Sequence, residues 1–193
     1  MELKPFAKGK RGIVHLARYK GETIVVKAKN PRSDVDRLFN EAEMLKKLNL
    51  HGIGPAFKFF KDGKVGMEYI KGKTFEEWML KQRKAPILKS LTILLEQMYL
   101  FDTLGIVKEE MHHPTKHVIM RGSHPVLIDF ERCRYSEKPH NVPQFLQYLS
   151  NGRLAPLYAS KKITFPRETC IALAKEYLEK RDLKRILKKL KLS

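Results

Sequence analysis

The sequence predicts an α+β fold in which a strand-rich first third gives way to a mainly helical remainder. Three observations carry this. Short β-branched and aromatic runs with tight-turn signals fill the first 70 residues, a single amphipathic segment interrupts them, and beyond Gly72 the apolar residues switch to helical spacing.

The elements follow in order. Residues 12–16 and 23–28 read as two strands joined by a turn at Tyr19-Lys20-Gly21-Glu22. After Asn30-Pro31, residues 35–48 set Val35, Leu38, Phe39, Ala42, Leu45 and Leu48 on one helical face, with Ser33 and Asp34 as candidate caps. Residues 56–61 and 64–70 form a second hairpin around Asp62-Gly63, a strong turn signal. In the next segment, 74–82, Thr74 and Glu77 have the spacing of a capping box, and 87–104 is a long apolar helix. Two short apolar runs, 118–120 and 126–130, flank Arg121-Gly122-Ser123-His124 as in a small hairpin. Helices resume near Val142 and Glu168, and the last is a basic C-terminal helix.

Composition bounds the function. At 193 residues the chain can bury a real core in two small lobes but not in two independent domains. Thirty-nine Lys plus Arg against 21 Asp plus Glu give a charge of +18, which favours a polyanionic partner, above all nucleic acid. No stretch has the ~20 apolar residues needed to span a membrane; the best run, 91–101, holds Glu96 and Gln97. The N-terminal MELKPFAKGK has no apolar signal segment, so a cytoplasmic location is expected. Cys133 and Cys170, without CxxC spacing, read as buried thiols with no assigned role. Abundant Lys and Glu beside few Asn, Gln and Cys is similar to hyperthermophile usage.

Several residues sit where a nucleotide chemistry would need them. Gly9-Lys10-Arg11-Gly12 offers a turn whose missing Cβ atoms let backbone N–H groups approach phosphate. Lys27 is an internal lysine on an apolar strand and needs a compensating charge, for which Glu41 on the following helix is the candidate. Ile128-Asp129-Phe130-Glu131 delivers an aspartate from an apolar strand.

In this order the elements resemble the protein-kinase-like superfamily, and the resemblance spans nearly the whole chain. It implies a minimal bilobal fold, with an N-lobe at residues 1–70 and a C-lobe at 71–193, and an ATP-dependent phosphotransferase acting on a hydroxyl group. It assigns Gly9 and Gly12 to the Gly-rich loop, Lys27 to the α- and β-phosphates and Glu41 to the paired glutamate. Met67-Glu68-Tyr69-Ile70 becomes the hinge, where backbone groups of Glu68 and Ile70 would bind adenine. Asp129 becomes the Mg²⁺ ligand of a DFG-like motif in which Glu131 replaces the glycine.

The catalytic loop departs from the His-Arg-Asp pattern. It reads Lys108-Glu109-Glu110-Met111-His112-His113-Pro114-Thr115-Lys116-His117. Aligned back from the strand at 118–120, His117 takes the place of the metal-binding Asn, as in lipopolysaccharide sugar kinases, and His112 that of the catalytic Asp. A two-residue insertion would instead give that role to Glu110; either can accept a hydroxyl proton, and Lys116 could neutralise charge on the transferring phosphoryl. Imidazole ligation by His117 would let Mn²⁺ serve beside Mg²⁺. A zinc site from His112, His113 and His117 and a nucleotide-binding pseudokinase are the alternatives.

Only residues 132–140 separate Glu131 from the next helix, too few for the peptide platform of ordinary protein kinases. The chain is similar to the archaeal RNA kinases that phosphorylate a uridine 2′-hydroxyl in the variable region of tRNA. Compact Bud-like or RIO-like atypical protein kinases are the other resemblance, and an RNA-binding module without chemistry is the non-enzyme reading. The RNA-kinase resemblance implies tRNA as partner, with no membrane and no obligatory protein partner. Lys184, Arg185, Lys188 and Lys189 on the C-terminal helix are the candidate phosphate contacts.

Overall fold

A computed structural model describes residues 1–111 and 114–192, with the backbone alone at Thr115. The protein is α+β, with seven α-helices among the described residues. By their internal contacts these residues form two compact units, Met1–Lys71 with Val126–Cys133, and Gly72–Pro125 with Arg134–Ser193.

The first unit is built on a five-stranded antiparallel sheet. Its strands are β1 (Lys4–Lys8), β2 (Gly12–Tyr19), β3 (Glu22–Lys29), β4 (Phe57–Lys61) and β5 (Lys64–Glu68), in the order β1-β2-β3-β5-β4. The β2–β3 turn puts Lys20 and Gly21 at positive φ, and the β4–β5 turn does the same with Asp62 and Gly63, as two-residue hairpins require. β1 goes beyond the sequence reading: its five residues are all exposed, so no apolar alternation marks it as a strand. On one face Ala17, Ile24 and Val26 are buried with Leu3, Tyr19 and Phe59 packed on them. Gly66 is the seat of Phe59, since a Cβ there would lie 2.3 Å from the ring.

Helix α1 (Leu38–Asn49) crosses between β3 and β4 and buries Leu38, Glu41, Ala42, Met44, Leu45 and Leu48. It starts three residues later than expected. Asp36, not Ser33 or Asp34, accepts the Leu38 N–H, so Val35 stays outside the helix and 42% exposed. Phe39 also lies outside the core, edge-on to Phe60. At the far end Asn49 donates to the carbonyls of Ile53 and Pro55 and accepts from Phe57 N–H, fixing the entry into β4.

In the second unit β6 (Lys73–Thr74) leads into α2 (Phe75–Leu80), whose Thr74–Glu77 capping box forms as the spacing predicts. Gly72 is required here, because a Cβ would collide with the Met120 carbonyl. Helix α3 (Lys84–Thr103) begins a turn earlier than the apolar pattern, with Pro86 tolerated in its first turn. Then come β7 (Ile106–Lys108), a 3₁₀ turn (Pro114–Lys116), β8 (Val118–Arg121) and β9 (His124–Leu127), which carries the chain back into the first unit. After β10 (Cys133–Tyr135) follow α4 (Asn141–Leu149), α5 (Ala155–Ser160), α6 (Arg167–Lys180) and α7 (Leu183–Leu190).

The expected single C-terminal helix is two. Arg181 takes the left-handed conformation at the end of α6, held by a hydrogen bond to the Pro139 carbonyl and stacked over the Tyr177 ring. Asp182 then caps α7 by accepting the Arg185 N–H. No glycine announces the break, which the local Asp182 cap and the longer-range bond from Arg181 to Pro139 make together.

A buried carboxylate organises this unit. Asp102 at the end of α3 accepts from Asn141 N–H (2.7 Å), Asn141 Nδ2 (2.6 Å), Val142 N–H (3.2 Å) and Tyr177 O–H (3.0 Å), with Arg181 at 3.6 Å. Asn141 also donates to the Ile106 carbonyl and accepts from Lys108 N–H, so the network reaches β7 and through it the loop that follows. Asp102→Ala strands these donors and should cost about 3–5 kcal/mol. Tyr177→Phe, which removes one donor, should cost about 1 kcal/mol. Denaturant melts of the two variants check the order; equal losses would show that the network is not centred on Asp102.

Candidate functional site

The site is assembled in the first unit around one ammonium. Lys27 lies on β3 opposite Val14 and Val65, on the face that α1 covers. Burial leaves its side chain 11% exposed, and three carboxylates surround it: Glu41 at 2.8 Å, Asp129 at 2.8 Å and Glu131 at 3.0 Å. Each comes from a distinct position in the fold. Glu41 is brought inward on the buried face of α1, while Asp129 and Glu131 flank Phe130 just beyond β9.

That post-β9 segment is held in place from three directions. Phe130 is buried where Gly54 leaves room for it, a Cβ at Gly54 falling 2.8 Å from the ring. Asn40 Nδ2 donates to the carbonyls of Glu131 and Cys133 at 3.1 and 2.9 Å. Arg11 reaches Glu131 at 3.5 Å. Asp129 itself has φ 64°, the left-handed region that Asp adopts more readily than most residues and that these contacts hold.

The Gly9–Gly12 turn joins β1 to β2 and is closed by Gly9 N–H donating to the Gly12 carbonyl at 2.8 Å. Buried Asn30 pins it, donating from Nδ2 to the carbonyls of Gly9 and Lys10 and from its N–H to Arg11. Gly12 has a specific reason to be glycine: a Cβ would sit 3.0 Å from Lys27 Cε, so the turn can lie close over the ammonium.

The electrostatics follow from burial. Desolvation works against the charge on Lys27, but Glu41, Asp129 and Glu131 outweigh it, so Lys27 is held more firmly protonated than an ordinary lysine. Burial pushes the Glu41 carboxyl above its usual range, with Lys27 pulling it back and Asp129 adding to the rise. Three carboxylates face one ammonium and one more distant guanidinium, and their oxygens lie within 4.8 Å of one another. This set of hard oxygen donors is of the kind that can hold a metal ion.

Other candidate residues fall elsewhere. Glu68 ends β5, its N–H bonded to the Ala56 carbonyl and its side chain accepting from Ala56 N–H; Ile70 is buried just after. In the second unit, fully buried Lys108 stands 3.8 Å from half-buried Glu110, Lys116 is exposed at the end of the 3₁₀ turn, and His117 donates its N–H to Pro114. His112 and His113 lie outside the described residues. On α7, Lys184, Lys188 and Lys189 are exposed, whereas Arg185 is paired with Glu176 of α6 at 2.7 Å. Sequence reasoning missed Arg11, Asn30, Asn40 and Glu131 as parts of the site. Arg11 and Asn40 meet Glu131 across 120 and 91 residues, so no local signal announces them.

Lys27→Met tests the charge balance. Burial already pushes the Glu41 carboxyl above its usual range, and without the ammonium nothing pulls it back. Its contribution is then fully present only at low pH and is lost as pH rises through that raised value. The variant's deficit against the parent should therefore be small near pH 4 and reach about 3–5 kcal/mol by pH 8. Thermal melts across that range measure it; a deficit independent of pH would show that the carboxylates do not rely on Lys27. No protein-family model and no curated protein matches this chain.

Proposed function

We propose that the chain is an ATP-dependent phosphotransferase of minimal protein-kinase-like type whose acceptor is a ribose 2′-hydroxyl of folded tRNA. One observation carries the phosphotransfer reading: a buried strand lysine paired with a helix glutamate and with an aspartate delivered just after a second strand. This is the constellation that protein kinases use to hold nucleotide phosphates and their metal. The close turn over Lys27, made by Gly9 and Gly12, adds backbone room for phosphate.

In this reading Asp129 would hold the metal, and ATP with Mg²⁺ would supply the activated phosphoryl group and its charge neutralisation. Glu41 keeps Lys27 oriented, and Lys27 offers its charge to the phosphates. Adenine is met by the backbone of Glu68 and Ile70. Glu110 or His112 accepts the proton of the attacking hydroxyl, and Lys116 stabilises charge as it moves. The acceptor is assigned from the +18 charge and the exposed Lys184, Lys188 and Lys189, which suit phosphate contacts.

The test is incubation with γ-labelled ATP and separate pools of tRNA, protein and sugars. Label should enter tRNA, and a tRNA with a 2′-deoxy target nucleotide should bind but remain unlabelled. Asp129→Asn should lose transfer by several orders of magnitude while melting like the parent; a folded, fully active Asp129→Asn sinks the assignment. Glu110→Gln and His112→Ala then decide the base, since only the correct one should lose turnover with ATP affinity kept. Label in protein but not tRNA would put an atypical protein kinase in this reading's place.

A further inference from the structure

The edge strand β1 carries an exposed aromatic that the sheet itself does not need. Its pairing with β2 runs Lys4 to Leu16 and Pro5 to His15, then resumes with Ala7 opposite Val14. Phe6 is thus the extra residue of a β-bulge, a feature that re-aims a side chain at the edge of a sheet. Phe6 is 54% exposed, and its ring is braced by Tyr69, edge-on at 5.7 Å and 82°. Around it Lys4, Lys8 and Lys10 are exposed, with no carboxylate partner among the described residues. Across residues 1–20 six basic residues meet one acid, Glu2.

Protection of a sheet edge from aggregation explains part of this pattern. Lysines and a proline on an edge strand block pairing with another chain. It does not explain Phe6, because a protected edge has no use for an exposed aromatic. A rigid ring face flanked by unpaired cations is instead the arrangement on which unpaired bases stack while lysines follow the backbone phosphates. We propose that Phe6, braced by Tyr69 and flanked by Lys4, Lys8 and Lys10, is the stacking platform for an unpaired nucleotide of the RNA substrate. This rests on the RNA reading above and adds to it where the RNA is gripped. The adenine of ATP is the other nucleobase to consider. A strand exposed at all five positions, with lysines before and after Phe6 along the chain, fits a continuing polynucleotide better than a single nucleotide.

The experiment uses the full chain and a labelled, unstructured single-stranded RNA, titrated without ATP, alongside separate ATP titrations. Phe6→Leu keeps an apolar side chain but no π-face, and should weaken RNA binding by about 5- to 150-fold, as expected for one lost stack. Phe6→Trp should restore it. Lys4→Gln with Lys8→Gln should lower the slope of log affinity against log salt by about 1.4, two phosphates at ~0.7 each for single strands. ATP affinity should be unchanged in every variant. If the parent binds the RNA and Phe6→Leu binds it equally well, the platform is wrong and the RNA reading stands. Loss of ATP affinity with RNA binding intact would assign the ring to adenine and overturn the proposal. If the parent binds no RNA, the RNA reading fails and takes the platform with it, while the phosphotransfer reading is still judged by Asp129→Asn.

Discussion

A lysine ammonium inside a protein must find negative charge or lose its own, and Lys27 finds three carboxylates within 3.0 Å. Much of the first unit is arranged to make this possible. β3 fixes the height of the lysine, α1 turns Glu41 inward among Leu38, Ala42 and Leu45, and Asn40 on the same helix holds the segment that bears Glu131. Gly54 lets Phe130 seat between the two acidic residues. Each of these features brings one of the three carboxylates to the buried ammonium or holds it there. The same arrangement brings three carboxylates, from Glu41, Asp129 and Glu131, within 4.8 Å of one another.

The second unit solves a similar problem with the sign reversed. Asp102 is buried and is answered mainly by hydrogen-bond donors, Asn141, Val142 and Tyr177, with Arg181 beyond. Its satisfaction sets the end of α3, the start of α4 and, through Arg181, the break between α6 and α7. Because Asn141 also bonds Ile106 and Lys108, this scaffold fixes the strand that leads directly to Glu110. A buried polar network of this kind makes the backbone position of a following loop specific in a way that apolar packing does not.

Charge outside these two centres has a different role. Lys184, Lys188 and Lys189 on α7 and Lys4, Lys8 and Lys10 at the edge of the sheet have no acidic partners among the described residues. Exposed cations of this kind contribute little to folding and remain available to a polyanion. Arg185 is the exception on α7, since Glu176 already holds it.

The sequence by itself determined the elements that rest on local chemistry. Gly21 and Asp62-Gly63 mark their hairpins because Gly, and next to it Asp, take positive φ at low cost, and Thr74 with Glu77 specifies the start of α2 because both capping bonds are made within one turn. The pairing of Lys27 with Glu41 was legible too, because a lysine inside an apolar strand demands a partner, whereas the contact of Lys27 with Asp129 was not. Only the tertiary structure decided the rest. β1 has no buried face, so no periodicity exposes it; Arg181 is left-handed only because Asp102, Pro139 and Tyr177 hold it there. Glu131 and Arg11 lie 120 residues apart, and Asn30 acts on a turn about 20 residues before it. Their roles arise from long-range closure of the chain, which leaves no pattern in any local window of sequence.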